Sequence, residues 1–341
     1  MKILRKLLPV SLIAAGLLTA CSPSEQSSQT PAPAADMNAA VVKKVAITSF
    51  VEHPALDLVR KGVIEELAEQ GFKEGENLKV NFQSAQSNSG TAAQIAKQFV
   101  GSNPDVIIAI ATPSAQAVAA STDSIPLVFA AVTDPVAAKL VPSWEASGTN
   151  VTGVSDLLPL EPQIDLMKKV VPNLKSVGYV YSPGEVNSTI VLEQLTELLK
   201  PQNIKVEAVP AQHTTDIPQA TKSLKGKVDL IYTSLDNNVV SAYESMYQAA
   251  KEAQIPLLAS DTDSVPRGAV AALGVNYYDV GRETGKVTAE ILNGTKPGDI
   301  KTRTMEKLDL HVSPNNAKAQ GIELSAELVQ SAQKVVEEAA K

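Results

Sequence analysis

The chain has 341 residues, a formal net charge of −7, 44% hydrophobic and 20% charged residues. That is room for about two domains at roughly 150 residues each, and the acidic balance excludes an electrostatic grip on nucleic acid. With one cysteine and three histidines (His53, His213, His311), neither an internal disulfide nor a Cys/His zinc cluster is expected.

Lys2, Arg5 and Lys6 precede a mainly apolar stretch from Leu7 to Ala20. It is short for a membrane span of about 20 residues and reads as the core of a signal peptide over 1–20. Leu18-Thr19-Ala20-Cys21 matches the bacterial lipobox, so Cys21 is expected to carry lipid and anchor the protein to a membrane of the cell envelope. The body would then lie in the periplasm or outside the cell. Residues 21–42 are rich in Ser, Pro, Ala and Gln and cannot bury enough apolar surface to fold, which makes them a tether.

From Lys43 strands and helices alternate. Strands are expected at 45–50, 78–85, 106–110, 126–132 and 150–156, with helices at 55–70, 91–100 and from Ser114. A second run has helices at 161–171, 186–199, 215–224 and 238–252, with strands at 176–182, 205–211, 228–233, 256–260 and 269–276. A helix at 278–293, a strand at 307–312 and helices from 314 and 325 complete the chain. Such alternation predicts an α/β protein with parallel sheets. Two passages share one phrasing: DVIIAIATPSAQAVAA from Asp105, then IPLVFAAV, and DLIYTSLDNNVVSAYE from Asp229, then IPLLAS. They suggest two similar lobes.

Ligands of open parallel sheets sit beyond the carboxyl ends of the strands, among helix N-termini. The strand-end segments supply Ser49, Phe50, Thr112, Ser114, Thr133, Asp134, Glu185, Asn187, Ser188, Asp236, Asn237, Asp261, Asn276 and Tyr277 as candidate ligand contacts. Hydroxyls before helices suit an anion, whereas Asp236 and Asp261 suit an ammonium. An α-amino acid has that polarity, and Phe50, Tyr181 or Tyr277 with Ala111 would offer an aromatic slot. Several candidates also read as plain structure: Thr112 and Ser114 as helix caps, Asp134 before Pro135 as an N-cap, Glu185 and Asn187 as turn residues. His53 would line the cleft or cap the next helix. No nucleophile elbow, phosphate loop or dinucleotide fingerprint is present, so an enzyme is not expected.

His53-Pro54-Ala55-Leu56-Asp57, Ala111-Thr112-Pro113-Ser114, Val132-Thr133-Asp134-Pro135 and Asn150-Val151-Thr152-Gly153-Val154 resemble phrases of a known family. So do Glu185-Val186-Asn187-Ser188, Asp236-Asn237 and Gly274-Val275-Asn276-Tyr277-Tyr278. The family is the ABC-transporter substrate-binding proteins of the tryptophan/tyrosine-binding type, and the resemblance runs from about 44 to 325. It implies a type I periplasmic-binding fold, two Rossmann-like lobes joined by a three-segment hinge near 155–160, 274–278 and 300–306. Lobe 1 would comprise 43–157 and 277–302, and lobe 2 158–276 and 303–341. It further implies a monomer without cofactor, closing on a small ligand, most often an aromatic amino acid, for an ABC permease with a cytoplasmic ATPase. A ligand-sensing lipoprotein reporting to a membrane receptor, or a binder of another small amino acid or anion, is the alternative.

Overall fold

The computed structural model describes residues 42–338 and residue 340; the expected signal peptide, Cys21 and the expected tether up to residue 41 lie outside the described residues. The first run of the chain gives β1 (Lys43–Ser49), α1 (Pro54–Glu69), β2 (Leu78–Ser84), α2 (Ser89–Ser102), β3 (Val106–Ile110), α3 (Thr112–Ala119), β4 (Leu127–Ala130) and β5 (Val151–Ser155). The second gives α4 (Leu160–Val170), β6 (Ser176–Tyr181), α5 (Val186–Leu199), β7 (Lys205–Pro210), α6 (Ile217–Ser223), β8 (Leu230–Thr233), α7 (Asn237–Ser241), α8 (Tyr243–Ala253), β9 (Leu257–Ala259) and β10 (Ala271–Gly274). The remainder gives α9 (Tyr277–Leu292), β11 (Arg303–Thr304), β12 (Asp309–Val312), α10 (Pro314–Ala319), α11 (Ala326–Ser331) and β13 (Lys334–Val335).

These strands form two sheets, ordered β11-β5-β4-β3-β1-β2 and β13-β12-β10-β9-β8-β6-β7. Central strands such as VIIAI of β3 and LIYT of β8 are buried at every position, as strands covered on both faces must be. The edge strands β2 and β7 are largely half-exposed. In each sheet the first five strands of its run take the order 2-1-3-4-5, so both halves are wound alike. The matched acidic residues do matched work. Asp105 before β3 accepts the Lys44 N–H at the start of β1 (2.7 Å), and Asp229 before β8 accepts the Lys175 and Ser176 N–H groups at the start of β6 (2.8 and 2.7 Å).

The chain passes between the sheets three times, at 156–159, 275–276 and 305–308. The third passage starts later than the 300–306 expected, because Arg303 and Thr304 first pair with Val154 and Ser155 of β5. That passage also explains the one departure from parallel pairing. The chain leaves the second sheet at the end of β10 and returns near the same end, so β12 must run antiparallel to β10. The helix expected over 238–252 is broken at Ala242 into α7 and α8.

α9 returns to the first sheet and packs on α1 through glycines. A Cβ built on Gly281 would stand 2.2 Å from the Val59 carbonyl oxygen, and one on Gly62 would stand 2.3 Å from that of Tyr278. Gly281→Val is therefore expected to cost about 3 kcal/mol or more, at or above the usual range for overpacking. Urea denaturation reads this directly, and an unchanged midpoint would show that the helices can separate freely.

Candidate ligand-binding site

Sheets of order 2-1-3-4-5 open a crevice where the connections after the first and third strands diverge. In the first sheet those connections carry His53, after β1, and Thr112, which opens α3 after β3. In the second they carry Asn187, at the start of α5, and Asn237, which opens α7. All four line one cavity, a space of about 330 Å³ that includes the solvent at its mouth. Ala55, Leu56, Ala131, Leu235 and Val240 give it apolar walls, and Thr133, Asp156, Asp261 and Tyr277 complete it.

The polar groups facing this space are unevenly satisfied. Asp156 is buried; its Oδ2 accepts the Tyr277 hydroxyl at 3.0 Å, while its Oδ1 has no partner. Burial pushes its carboxyl up to about 6, against the pull of the Tyr277 hydrogen bond. Asn187 Oδ1 and His53 Nδ1 are likewise buried and unpaired. Burial, with a smaller contribution from the Arg267 charge, holds His53 down to about 3, so its ring is neutral. Asp261 is raised by burial, although Ser264 donates to it from its N–H (2.8 Å) and its hydroxyl (2.7 Å). No lysine or arginine lines the cavity among the described residues.

Two non-glycine residues at this edge hold positive φ, Ala111 at 73° and Ala131 at 52°. Each comes directly after a central strand, β3 and β4, and Ala111 turns the chain straight into α3. Such conformations cost on the order of 1–3 kcal/mol and gather at binding sites. Here they bring a helix N-terminus and the Thr112 hydroxyl to the first-sheet wall.

Of the residues singled out from sequence, Thr112, Thr133, Asn187, Asn237, Asp261 and Tyr277 converge on the cavity. The others stand elsewhere, each for a local reason. Asp236 is fully buried as the N-cap of α7, accepting from Val239 N–H (3.0 Å), Ser182 N–H (2.6 Å) and the Ser182 hydroxyl (2.9 Å). Asp134 accepts the N–H groups of Val136 and Ala137, and Asn276 caps α9 through those of Tyr278 and Asp279. Ser49 donates to the Val51 carbonyl, and Phe50 belongs to the first core. Ser114 and Ser188 are enclosed at the starts of α3 and α5. Glu185 lies behind the wall, bonded to Asn187 and Asn237. Asp156, Ala131 and Val240 escaped the sequence reading. For Asp156 a signal existed: Leu-Leu-Pro comes after it, so no helix N-terminus stands there to occupy its carboxylate.

A family model described as ABC transporter substrate binding protein matches residues 44–336. The chain belongs to that family. This substrate-binding protein is 38% identical over 315 residues, 91% of each chain, to the "Tyrosine-binding protein" of Clostridioides difficile (strain R20291). Its structure is similar to that of an ABC domain from Streptococcus pneumonia in complex with L-Trp, with 32% identity and a TM-score of 0.83 over 86% of this chain and 100% of the other. A ligand-free, open substrate-binding protein with adhesive properties from Clostridium difficile aligns at 38% identity with a TM-score of 0.66, over 87% and 99%.

The raised Asp156 carboxyl has a measurable sign. The folded substrate-binding protein holds that proton more tightly than the unfolded chain, whose carboxyl titrates near 3.8. Its contribution to stability is thus present below about pH 4 and is lost as pH rises to about 6. Asp156→Asn is expected to remove that loss, on the order of 3 kcal/mol in full. Urea midpoints from pH 4 to 7 check it; parallel slopes for wild type and variant would show that Asp156 titrates normally.

Proposed function

We propose that this substrate-binding protein captures an aromatic amino acid between its two lobes and delivers it to an ABC permease powered by a cytoplasmic ATPase. The observation that carries this reading is the set of sealed, partnerless acceptors. Asp156 Oδ1 and Asn187 Oδ1 belong to residues lining a space whose walls mix apolar side chains with His53, Thr112, Thr133, Asn237, Asp261 and Tyr277. Buried polar atoms are costly unless paired, and a ligand ammonium would pair both. At the first-sheet wall Thr112 and the N-terminus of α3 would receive the α-carboxylate. Ala55, Leu56, Ala131 and Leu235, with the Tyr277 ring, would flank the aromatic side chain. The tyrosine-binding and L-Trp-bound relatives support that choice.

Closure about the three crossing segments is the working motion in this proposal. The more similar sequence, the open relative, has the less similar shape, with 0.66 against 0.83 for the L-Trp complex. That contrast supports reading the present conformation as a closed one, in which ligand would be held by both lobes at once. Lipid at Cys21 would keep the protein at the membrane beside its permease, as a monomer with no catalytic step and no cofactor.

Calorimetry and thermal shift of the folded body with the twenty amino acids, sugars and small anions test the reading. L-Tyr or L-Trp at a hundred times its dissociation constant is expected to add about 2.7 kcal/mol of stability. Stabilisation by a sugar or an inorganic anion, with none by any amino acid, would discard the ligand. Asp156→Asn is expected to weaken amino-acid binding at least tenfold. Wild-type affinity should fall as pH drops through about 6, where the Asp156 carboxylate takes up a proton while the ligand ammonium keeps its charge.

A further inference from the structure

Glu185 carries no place in the cavity, yet it is held by more donors than a turn residue needs. Its Oε2 accepts from Asn237 N–H (3.0 Å), Asn237 Nδ2 (2.5 Å) and Asn187 Nδ2 (3.1 Å), while Oε1 receives only Asn238 N–H at 3.4 Å. Asn187 Nδ2 also donates to the Leu235 carbonyl at 2.9 Å. Both neighbours of that nitrogen are acceptors, so it must be the NH2 end of the amide, and its two protons are spent. The other end, Oδ1, is therefore the one left to the cavity, where it stands unpaired.

We infer that Glu185 is a positioning residue that, together with the Leu235 carbonyl, fixes the rotation of the Asn187 amide, so that the cavity always presents an acceptor and selects a ligand ammonium. The inference rests on the amino-acid reading above. An asparagine free to rotate would offer NH2 as readily as C=O and would discriminate little between a cationic and an anionic end. The same oxygen ties the backbone and side chain of Asn237, so one group sets two neighbouring amides on the wall. Burial, with the nearby Asp236, raises the Glu185 carboxyl above its ordinary value. Glu185 acts here as a shaped acceptor.

Affinities of L-Tyr and L-Trp for the full chain and two variants test this. Glu185→Met, similar in bulk but without the oxygens, is expected to lose at least tenfold. Glu185→Gln, whose amide oxygen can take the place of Oε2, should stay within about threefold of wild type. Wild-type affinity in Glu185→Met, or a Glu185→Gln loss as large as that of Glu185→Met, would each overturn the inference. If Glu185→Met does not fold, hydrogen exchange of the wild-type Asn187 side-chain amide, measured without ligand, decides: slow exchange of both protons is expected, and fast exchange overturns it. Wild type that binds no amino acid would sink the functional reading itself, an outcome separate from any pattern among the variants.

Discussion

A carboxylate oxygen shut away from water with nothing to bond is among the most expensive features a fold can keep. The cleft keeps one at Asp156, beside the unpaired carbonyl of Asn187 and the ring nitrogen of His53. Around them the usual remedies are in use elsewhere: Asp236, Asp134, Asp261 and Asn276 are each engaged by backbone N–H groups close in sequence. What distinguishes the site is thus the residue type left over after the local structure has been satisfied. A ligand that brings donors to one wall and an acceptor to the other would complete the hydrogen bonding that the protein leaves undone.

Much of the scaffold around these groups was legible in the chain. Central strands are continuous apolar runs, and most helix boundaries fall within a few residues of the apolar periodicity and its Gly, Asn or Pro stops. The shared phrasing after Asp105 and Asp229 reflects a shared position, the third strand of two sheets wound in the same order, with the same tie to the start of the first strand. The failures are tertiary. Arg303-Thr304 and Lys334-Val335 have no strand pattern of their own; they pair because β5 and β12 present free edges to them. The break at Ala242 and the reversal of β12 likewise reflect where the chain must go next.

Reading the site from strand ends reaches the segments that line the cavity and some of the residues on its walls. Thr112, Thr133, Asn187, Asn237, Asp261 and Tyr277 meet as that reading required. Asp236 and Asp156 are both aspartates after apolar strands, yet one is consumed by α7 and the other is not. The difference lies in the next three residues of the chain. Asn-Asn-Val begins a helix whose N–H groups turn back on Asp236, whereas Leu-Leu-Pro extends away from Asp156. Strand-end logic picked out Glu185 as a ligand contact, whereas its bonds run to two asparagines that close on it from different elements, one of them more than fifty residues away in the chain.

The glycine-lined contact of α1 with α9 joins residues 213 positions apart, as in the Tyr278–Glu65 and Arg282–Glu69 pairs. Before α9 exists, the face of α1 that carries Val59 and Gly62 has nothing to cover it. The first sheet to be started therefore cannot be finished until α9 and β11 have been made, and its assembly waits until nearly the entire polypeptide is at hand. High contact order of this kind slows folding. A chain so built stays unfinished through most of its own synthesis, the state in which a polypeptide can still be threaded through a narrow channel.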